Sequence, residues 1–417
     1  MSRKLNVYLC GNRIGVLCEN ELLQLSFQYC SDNVSPLSVH LPVRTDEYTN
    51  ADAFPFFENL APEGEAFEIL SKDHVSGNKV FSILDRYGGD CAGAVAFYET
   101  MPHQQSDSNL HEISPVKVVQ IIDRLPEDPL LTSLEDPPRL SLAGAQSKFA
   151  VHKHDGKYYR SDDEHPTTHI IKITNKRFPN LLENELFCMK LAKILQLETP
   201  GVEIKIAEGR PTESRPTESR RYLEIERFDR CYEKEIVRRV HQEDFCQALG
   251  IVSDMKYQAG GGASLKDCCK IIEEFSENRL NDITRLIEWI IFNYLIGNTD
   301  AHAKNISLLH TNNGIRLAPF YDLLSTEVYS ERLVDHTMAM LVNGKGKYHS
   351  LTPRDFLALF GHLGLNATNM MKIIKTKFVD IVPVAENLRE TVKETPEEAI
   401  FDDIIAIIKK RRDALLT

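Results

Sequence analysis

Three side chains in the last third of the sequence have the types needed to handle a phosphoryl group: the carboxylates of Asp300 and Asp322 and the amide of Asn305. Asp300 and Asn305 lie in Gly297-Asn298-Thr299-Asp300-Ala301-His302-Ala303-Lys304-Asn305, between an apolar helical run ending near Ile296 and a short strand. One carboxylate there can accept the hydrogen bond of an attacking hydroxyl. A neutral amide oxygen nearby can ligate a metal without adding a competing base. Asp322 follows a hairpin, and a second carboxylate at that point can bridge Mg²⁺ to phosphates. The plainer alternative is a capping Asp and a turn Asn. The density of polar groups in this loop, His302 and Lys304 included, favours chemistry.

Asp-x-x-x-x-Asn is also the spacing of a protein-kinase catalytic loop. Three further segments bear on that reading. Lys172 lies in the apolar strand Thr168–Thr174, where an ammonium is costly unless it meets an anion. ATP phosphates could supply that anion, and Glu185 in a following helix could orient the lysine. An edge-strand lysine pointing to water is the alternative. The loop Ser141-Leu142-Ala143-Gly144-Ala145-Gln146-Ser147-Lys148 has small residues whose backbone N–H groups can approach phosphates closely; it could equally be an ordinary loop. In Glu224-Ile225-Glu226-Arg227-Phe228-Asp229-Arg230, a hinge could offer backbone groups near Glu226 to adenine and Phe228 to its face, or it is simply a charged strand end.

These groups need elements to hold them. Lys4–Cys10 and Arg13–Cys18 read as a hairpin turning at Gly11-Asn12. Helical patterns cover Ala53–Leu60, Glu63–Ser71 and Val80–Tyr87, with Gly88-Gly89 able to end the last at positive φ. Ala92–Tyr98 returns to the sheet, and the polar stretch Met101–Asn109 marks a boundary. A helix is expected over Pro115–Leu125. Strands are expected at Lys148–His154, Lys157–Arg160, Thr168–Thr174, Val202–Ala207 and Tyr222–Arg227, and a helix at Leu181–Leu195. Arg-Pro-Thr-Glu-Ser occurs twice over Arg210–Ser219 and reads as a lengthened exposed loop. Beyond Arg239 the chain turns helical: Asp244–Leu249, Leu265–Phe275, Asp282–Leu295, Pro353–Leu363, Ala367–Phe378 and Glu397–Leu416, interrupted by a hairpin at Ile306–Pro319. The expectation is an α+β fold of three parts: 1–105, a β-rich ATP-binding lobe 106–239, and a helical catalytic lobe 240–417.

With 417 residues and a net charge of −12, the chain is not expected to track nucleic acid over a broad basic surface. Nine scattered cysteines without paired Cys-x-x-Cys spacing suit a reducing compartment. The N-terminus is a poor signal peptide and no apolar run approaches membrane-spanning length, so a cytoplasmic protein without membrane contact is expected.

Taken in order, the motifs resemble the HipA family of bacterial toxin serine/threonine kinases. The resemblance spans nearly the whole chain: Phe56-Phe57-Glu58-Asn59-Leu60-Ala61-Pro62, Gly89-Asp90-Cys91-Ala92-Gly93-Ala94-Val95, Ser141–Lys148, His169–Ile173, Glu183-Asn184-Glu185, Glu226–Arg230, Gln242–Gln247, Thr299–Asn305 and Pro319–Ser325. It implies a two-lobed kinase-like fold with an extra N-terminal subdomain. Asp300 would be catalytic base, with His302 and Lys304 assisting near the γ-phosphate. Asn305 and Asp322 would hold Mg²⁺. Lys172 would contact phosphates, and Glu226 and Phe228 would lie at the adenine hinge. Ser141 would be the autophosphorylated serine whose modification expels the phosphate loop. It also implies a HipB-like DNA-binding antitoxin, through which alone nucleic acid is met, and a protein substrate, with aminoacyl-tRNA synthetases known in the family. Ala301, where the family often has Gly, and Ser147, where some members have Glu, depart from the pattern. Two other readings stay open: a catalytically weak scaffold acting as corepressor with the antitoxin, and a small-molecule kinase.

Overall fold

A computed structural model describes residues 2–72, 77–100, 110–125, 128, 146–162, 165–175, 177–207, 220–233, 236–392 and 399–416. They fall into two compact units. The first comprises Met1–Ile173, Glu203–Ser253 and Leu309–Thr311; the second comprises Thr174–Val202, Asp254–Leu308 and Asn312–Thr417. The repeat at Arg210–Ser219 lies outside the described residues.

The first unit opens with β1 (Arg3–Leu9), β2 (Asn12–Glu19), β3 (Leu25–Tyr29), α1 (Asn50–Glu58), α2 (Gly64–Lys72), α3 (Lys79–Tyr87) and β4 (Val95–Tyr98). Its antiparallel sheet runs β3-β2-β1-β4. One core gathers Leu5, Val7, Leu17 and Phe27 from the strands with Phe56, Phe57, Phe81 and Phe97. Leu9 sits opposite Asn12, so the first hairpin turns at Cys10-Gly11 and not at Gly11-Asn12. Both turn residues have positive φ, 50° and 79°, as the twist of a two-residue hairpin requires. Gly88 ends α3 at φ −78°, against the expected left-handed cap. It must be glycine for room instead: a Cβ there would lie 2.4 Å from the Leu84 carbonyl oxygen and 2.7 Å from the Phe97 ring.

Next come α4 (Pro115–Arg124), β5 (Lys148–His154), β6 (Lys157–Tyr159) and β7 (His169–Ile173). After α5 (Leu181–Ile194), which belongs to the second unit, follow β8 (Val202–Ile206), β9 (Arg221–Glu226), β10 (Arg230–Glu233), β11 (Ile236–Arg239), β12 (His241–Asp244) and α6 (Phe245–Leu249). Five strands pair in the order β6-β5-β7-β9-β8. Alternation along them sends Phe149, Val151, Ile171, Ile173 and Tyr222 to one face, against Val118, Ile121 and Ile122 of α4.

The remaining elements are α7 (Leu265–Phe275), α8 (Arg279–Ile296), β13 (Ser307–Thr311), β14 (Gly314–Leu317), β15 (Thr337–Val342), β16 (Lys345–Lys347), α9 (Pro353–His362), α10 (Ala367–Phe378), α11 (Ile381–Thr391) and α12 (Ala399–Leu416). The second unit is helical with strands inset, rather than wholly helical. Phe187 of α5 stacks on Phe401 of α12 at 4.9 Å, and Trp289 of α8 packs against Phe320 at 6.4 Å between centroids.

The β10–β11 and β15–β16 pairs and helix α11 lie outside the elements expected from the sequence. The turn joining β15 to β16 is Asn343-Gly344, both at positive φ. Pro383 falls in the first turn of α11, where the missing N–H is no loss because it would have no intrahelical partner.

Candidate active site

The loop after α8 is built from the backbone outward. Gly297 caps the helix in the left-handed region, at φ 72°. Asn298 then folds back: its side-chain amide donates to Asn293 Oδ1 at 2.7 Å, and its own Oδ1 accepts from the Asp300 N–H at 3.0 Å. Asp300's carbonyl accepts from the His302 N–H at 2.8 Å and from the Asn305 amide nitrogen at 2.8 Å. Asp300 and Asn305 are thus drawn onto one turn. The Asn305 nitrogen is committed to that bond, so the group it can offer a cation is its carbonyl oxygen. The Asp300 side chain remains 45% exposed, with His302 Nε2 3.7 Å from its Oδ1. His302, Lys304 and Asn305 are buried.

Asp322 reaches the same region through its neighbours. Tyr321's hydroxyl donates to the Lys304 carbonyl at 2.8 Å and lies 2.7 Å from Ser307 Oγ. Thr326 Oγ1 accepts from the Thr299 N–H at 2.7 Å and lies 2.7 Å from its hydroxyl. The Thr326 N–H donates to Gly297 O at 3.1 Å. Asp322 itself is half-buried and sits at φ 53°. A non-glycine residue held there costs on the order of 1–3 kcal/mol, which the surrounding bonds must offset.

Both legs of this arrangement are pinned by Asp282 near the start of α8. Its fully buried carboxylate accepts from Ser276 Oγ, Arg316 and the Leu317 N–H at 2.7–3.1 Å. Burial alone would raise this carboxyl, but those donors hold it below the usual carboxylate range. Arg285, one turn further, donates to the carbonyls of Leu317 and Ala318. The entry to Pro319–Asp322 is therefore fixed to the helix that delivers Asp300.

In the first unit, Lys172 lies in β7, the central strand of its sheet, and is 5% exposed. This removes the edge-strand alternative. Lys148 on β5 is its direct cross-strand partner. Directly paired residues share a face, so both lysines stand on the face of the sheet opposite the one packed on α4. Ala150 and Ile170 make a small apolar patch on the same face. Gln146 Nε2 donates to the Ile173 carbonyl at 3.3 Å, beside Lys172. On the other face, Lys153 and Lys205 contact Glu224 at 2.7 and 2.9 Å. Burial would raise the Glu224 carboxyl, yet these ammoniums and the Tyr158 hydroxyl keep it low.

Glu226 ends β9, is exposed and pairs with His169; Phe228 beyond it is half-buried. The turn between them is held by a buried ion network. Arg227 makes paired contacts to Asp229 at 2.9 and 2.7 Å and donates to the Cys91 carbonyl. Arg230 contacts Asp90 at 2.7 Å and the Gly93 carbonyl at 3.0 Å. Asp90 also accepts from the Thr167 N–H and hydroxyl. Burial works against the Asp90 charge, but Arg239, Arg230 and Arg227 hold its pKa far below the ordinary value. The Gly89–Val95 and Glu226–Arg230 motifs thus form one structure.

Glu185 is buried on α5 in the second unit. Ser141, Ala143, Gly144 and Ala145 lie outside the described residues. Sequence reasoning passed over Thr326 and Tyr257 altogether and took Thr299 and Asn184 only as parts of motifs. Of these, only Tyr257 had a nearby signal, the run Gly260-Gly261-Gly262.

The HipA N-terminal domain model matches residues 5–98, and the HipA-like C-terminal domain model matches 140–385. The chain belongs to the HipA family. A kinase-named protein of Sinorhizobium fredii, Y4mE, is 37% identical to it over 369 residues, covering 85% of this chain and 83% of that protein. The serine/threonine-protein kinase toxin HipA of Shewanella oneidensis is 30% identical over 385 residues, with 85% and 83% covered. A solved structure of the Shewanella HipA, HipB and operator DNA complex aligns with a TM-score of 0.83 at 26% identity, covering 99% of this chain and 97% of that one. The α+β, kinase-like HipA fold is therefore the fold of this chain, including the N-terminal β3-β2-β1-β4 subdomain. Among the described residues no helix is long and apolar enough to cross a membrane.

Proposed function

We propose that this HipA-family chain is an ATP- and Mg²⁺-dependent serine/threonine protein kinase. The observation that carries the reading is the turn in which the Asn305 amide nitrogen is spent on the Asp300 carbonyl while the Asp300 carboxylate stays exposed.

In the first unit, Lys172 and Lys148 neutralise phosphate charge, helped by backbone groups of Ser141–Lys148. Backbone groups near Glu226, with Phe228 beyond it, serve the adenine end. In the second unit, Asp300 accepts the proton of an attacking serine or threonine hydroxyl as its oxygen bonds to the γ-phosphorus and the bond to the β-phosphate oxygen breaks. His302 and Lys304 assist beside it. The donor set fits Mg²⁺: a carbonyl oxygen from Asn305 and a carboxylate from Asp322 are both hard oxygen ligands. Bound there, the cation would neutralise charge on the transferred group.

Further parts of the reading follow from family membership. Ser141 is an autophosphorylation site, a HipB-like antitoxin is the partner, and an aminoacyl-tRNA synthetase is a candidate substrate in the cytoplasm. The functional division is 1–105, 106–239 and 240–417.

Incubation with γ-labelled ATP and Mg²⁺, followed by phosphosite mapping, tests this. Label on protein serine or threonine with the wild type, lost in Asp300→Ala, supports it. Equal labelling by both proteins rejects it.

A further inference from the structure

Asp300 is held from outside its own loop. The segment Asp254–Ser264 passes beside it, and the Tyr257 hydroxyl donates to Asp300 Oδ1 at 2.5 Å. That is the same oxygen that faces His302 Nε2 at 3.7 Å. The Tyr257 and His302 rings meet edge to face, with centroids 5.3 Å apart. Tyrosine, histidine and carboxylate therefore form one cluster, with the phenol as its donor to the acid.

The placement of Tyr257 is built in. Its carbonyl accepts from the N–H groups of Gly260 and Gly262 at 3.0 and 3.2 Å. Gly261 turns at φ 93°. A Cβ on Gly262 would lie 1.9 Å from the Met255 carbonyl oxygen, so the segment closes this tightly only with glycine there. Gln258 Oε1 accepts from the Leu341 N–H of β15 at 2.7 Å. Two residues earlier on that strand, the Ala339 N–H donates to the Thr299 carbonyl at 3.1 Å. One strand thus aligns both the Tyr257 segment and the loop carrying Asp300.

We infer that Tyr257 is a positioning residue: its hydroxyl fixes one oxygen of the Asp300 carboxylate so that the other is presented to the acceptor hydroxyl. The inference rests on Asp300 being the proton acceptor. A carboxylate free to rotate would meet the acceptor in the productive orientation only part of the time. One held by a short bond from a rigid segment is already aligned.

Tyr257→Phe keeps the ring against His302 and removes only the hydroxyl. The expected result is a kcat lowered about ten- to a hundredfold, less than the roughly 10²–10⁴-fold that a positioned acid–base group itself contributes, because Tyr257 acts only through Asp300. KM for ATP and the melting temperature are expected to stay at wild-type values. A role confined to packing predicts an unchanged kcat for Tyr257→Phe and a loss only for Tyr257→Ala; that result overturns the inference. A kcat that rises overturns it too, because the hydroxyl would then be blocking the acceptor. Asp300→Ala, assayed in parallel, separates the two failures. If it transfers phosphate at the wild-type rate, the role of Asp300 falls. If it is silent while Tyr257→Phe is unimpaired, only the role of Tyr257 falls.

Discussion

Asn184 and Ser325 exchange two hydrogen bonds of 2.7 Å, the Asn184 amide nitrogen to the Ser325 carbonyl and the Ser325 N–H to Asn184 Oδ1. Both residues are buried. A single side chain on α5 thus stands in for a strand partner to the segment that carries Asp322. Asn184→Ala leaves a buried N–H and a buried carbonyl without it. A loss of about 2–4 kcal/mol is expected from two such groups, read as a shift in urea midpoint. Kinase activity is expected to fall further than stability, because Asp322 lies three residues away.

Asp300→Asn is expected to keep the loop intact, since the bonds to Asn298 and Asn305 use the Asp300 backbone and not its carboxylate. Phosphate transfer is expected to drop by roughly 10²–10⁴-fold, the usual worth of a positioned base. Rates with a peptide or protein acceptor, alongside an unchanged melting curve, check this.

Lys172→Met and Lys148→Met test the paired ammoniums. A hydrogen bond to a charged group contributes about 1.5–3 kcal/mol, so each change is expected to weaken ATP binding roughly ten- to a hundredfold. Titration with a fluorescent ATP analogue measures it, and undiminished affinity in both variants would exclude the pair from nucleotide binding.

Arg230→Met probes the buried network of Asp90, Arg227 and Asp229. Removing one cation strands buried carboxylates, which costs about 3–5 kcal/mol. Chemical unfolding should show this loss, with Arg230→Lys in between because lysine cannot reach Asp90 and the Gly93 carbonyl together.

His241 gives a pH dependence. It is buried, its Nε2 lies 2.8 Å from the Leu37 carbonyl, and the His310 ring is 4.8 Å away. Burial first, and His310 second, lower its pKa from 6.5 to about 3. The unfolded chain therefore takes up a proton between those values that the folded chain refuses. The His241 contribution is fully present above pH 6.5 and is lost as the pH falls toward 3. His241→Asn is expected to flatten that part of the stability profile, measured by unfolding across pH.

Much of this was legible from residue order. The spacing of Asp300 and Asn305 and the lysine in an apolar strand are local patterns. Helical and strand periodicity located most elements to within a few residues. What escaped were relations made by tertiary structure. Nothing local says that Tyr257 would reach Asp300, or that Thr326 would bind Thr299, because those contacts join segments 27–43 residues apart. Nor does strand propensity reveal that Lys148 faces Lys172; that depends on register. The Cys10-Gly11 turn was misjudged by one residue because cysteine gives no hint of a positive φ. Helix α11 was hidden by Pro383, whose harm depends on where in a helix it falls.

The bonds from Arg227 and Arg230 to the carbonyls of Cys91 and Gly93 bear on how this protein could be cut. Division of the polypeptide after Tyr98 would leave the larger fragment with two guanidiniums and the Asp229 carboxylate facing a vacated surface. The smaller fragment would expose Asp90 in turn. Two such fragments would not be independent modules. Rejoined, they would bury these charges against one another again, so the two pieces are expected to associate.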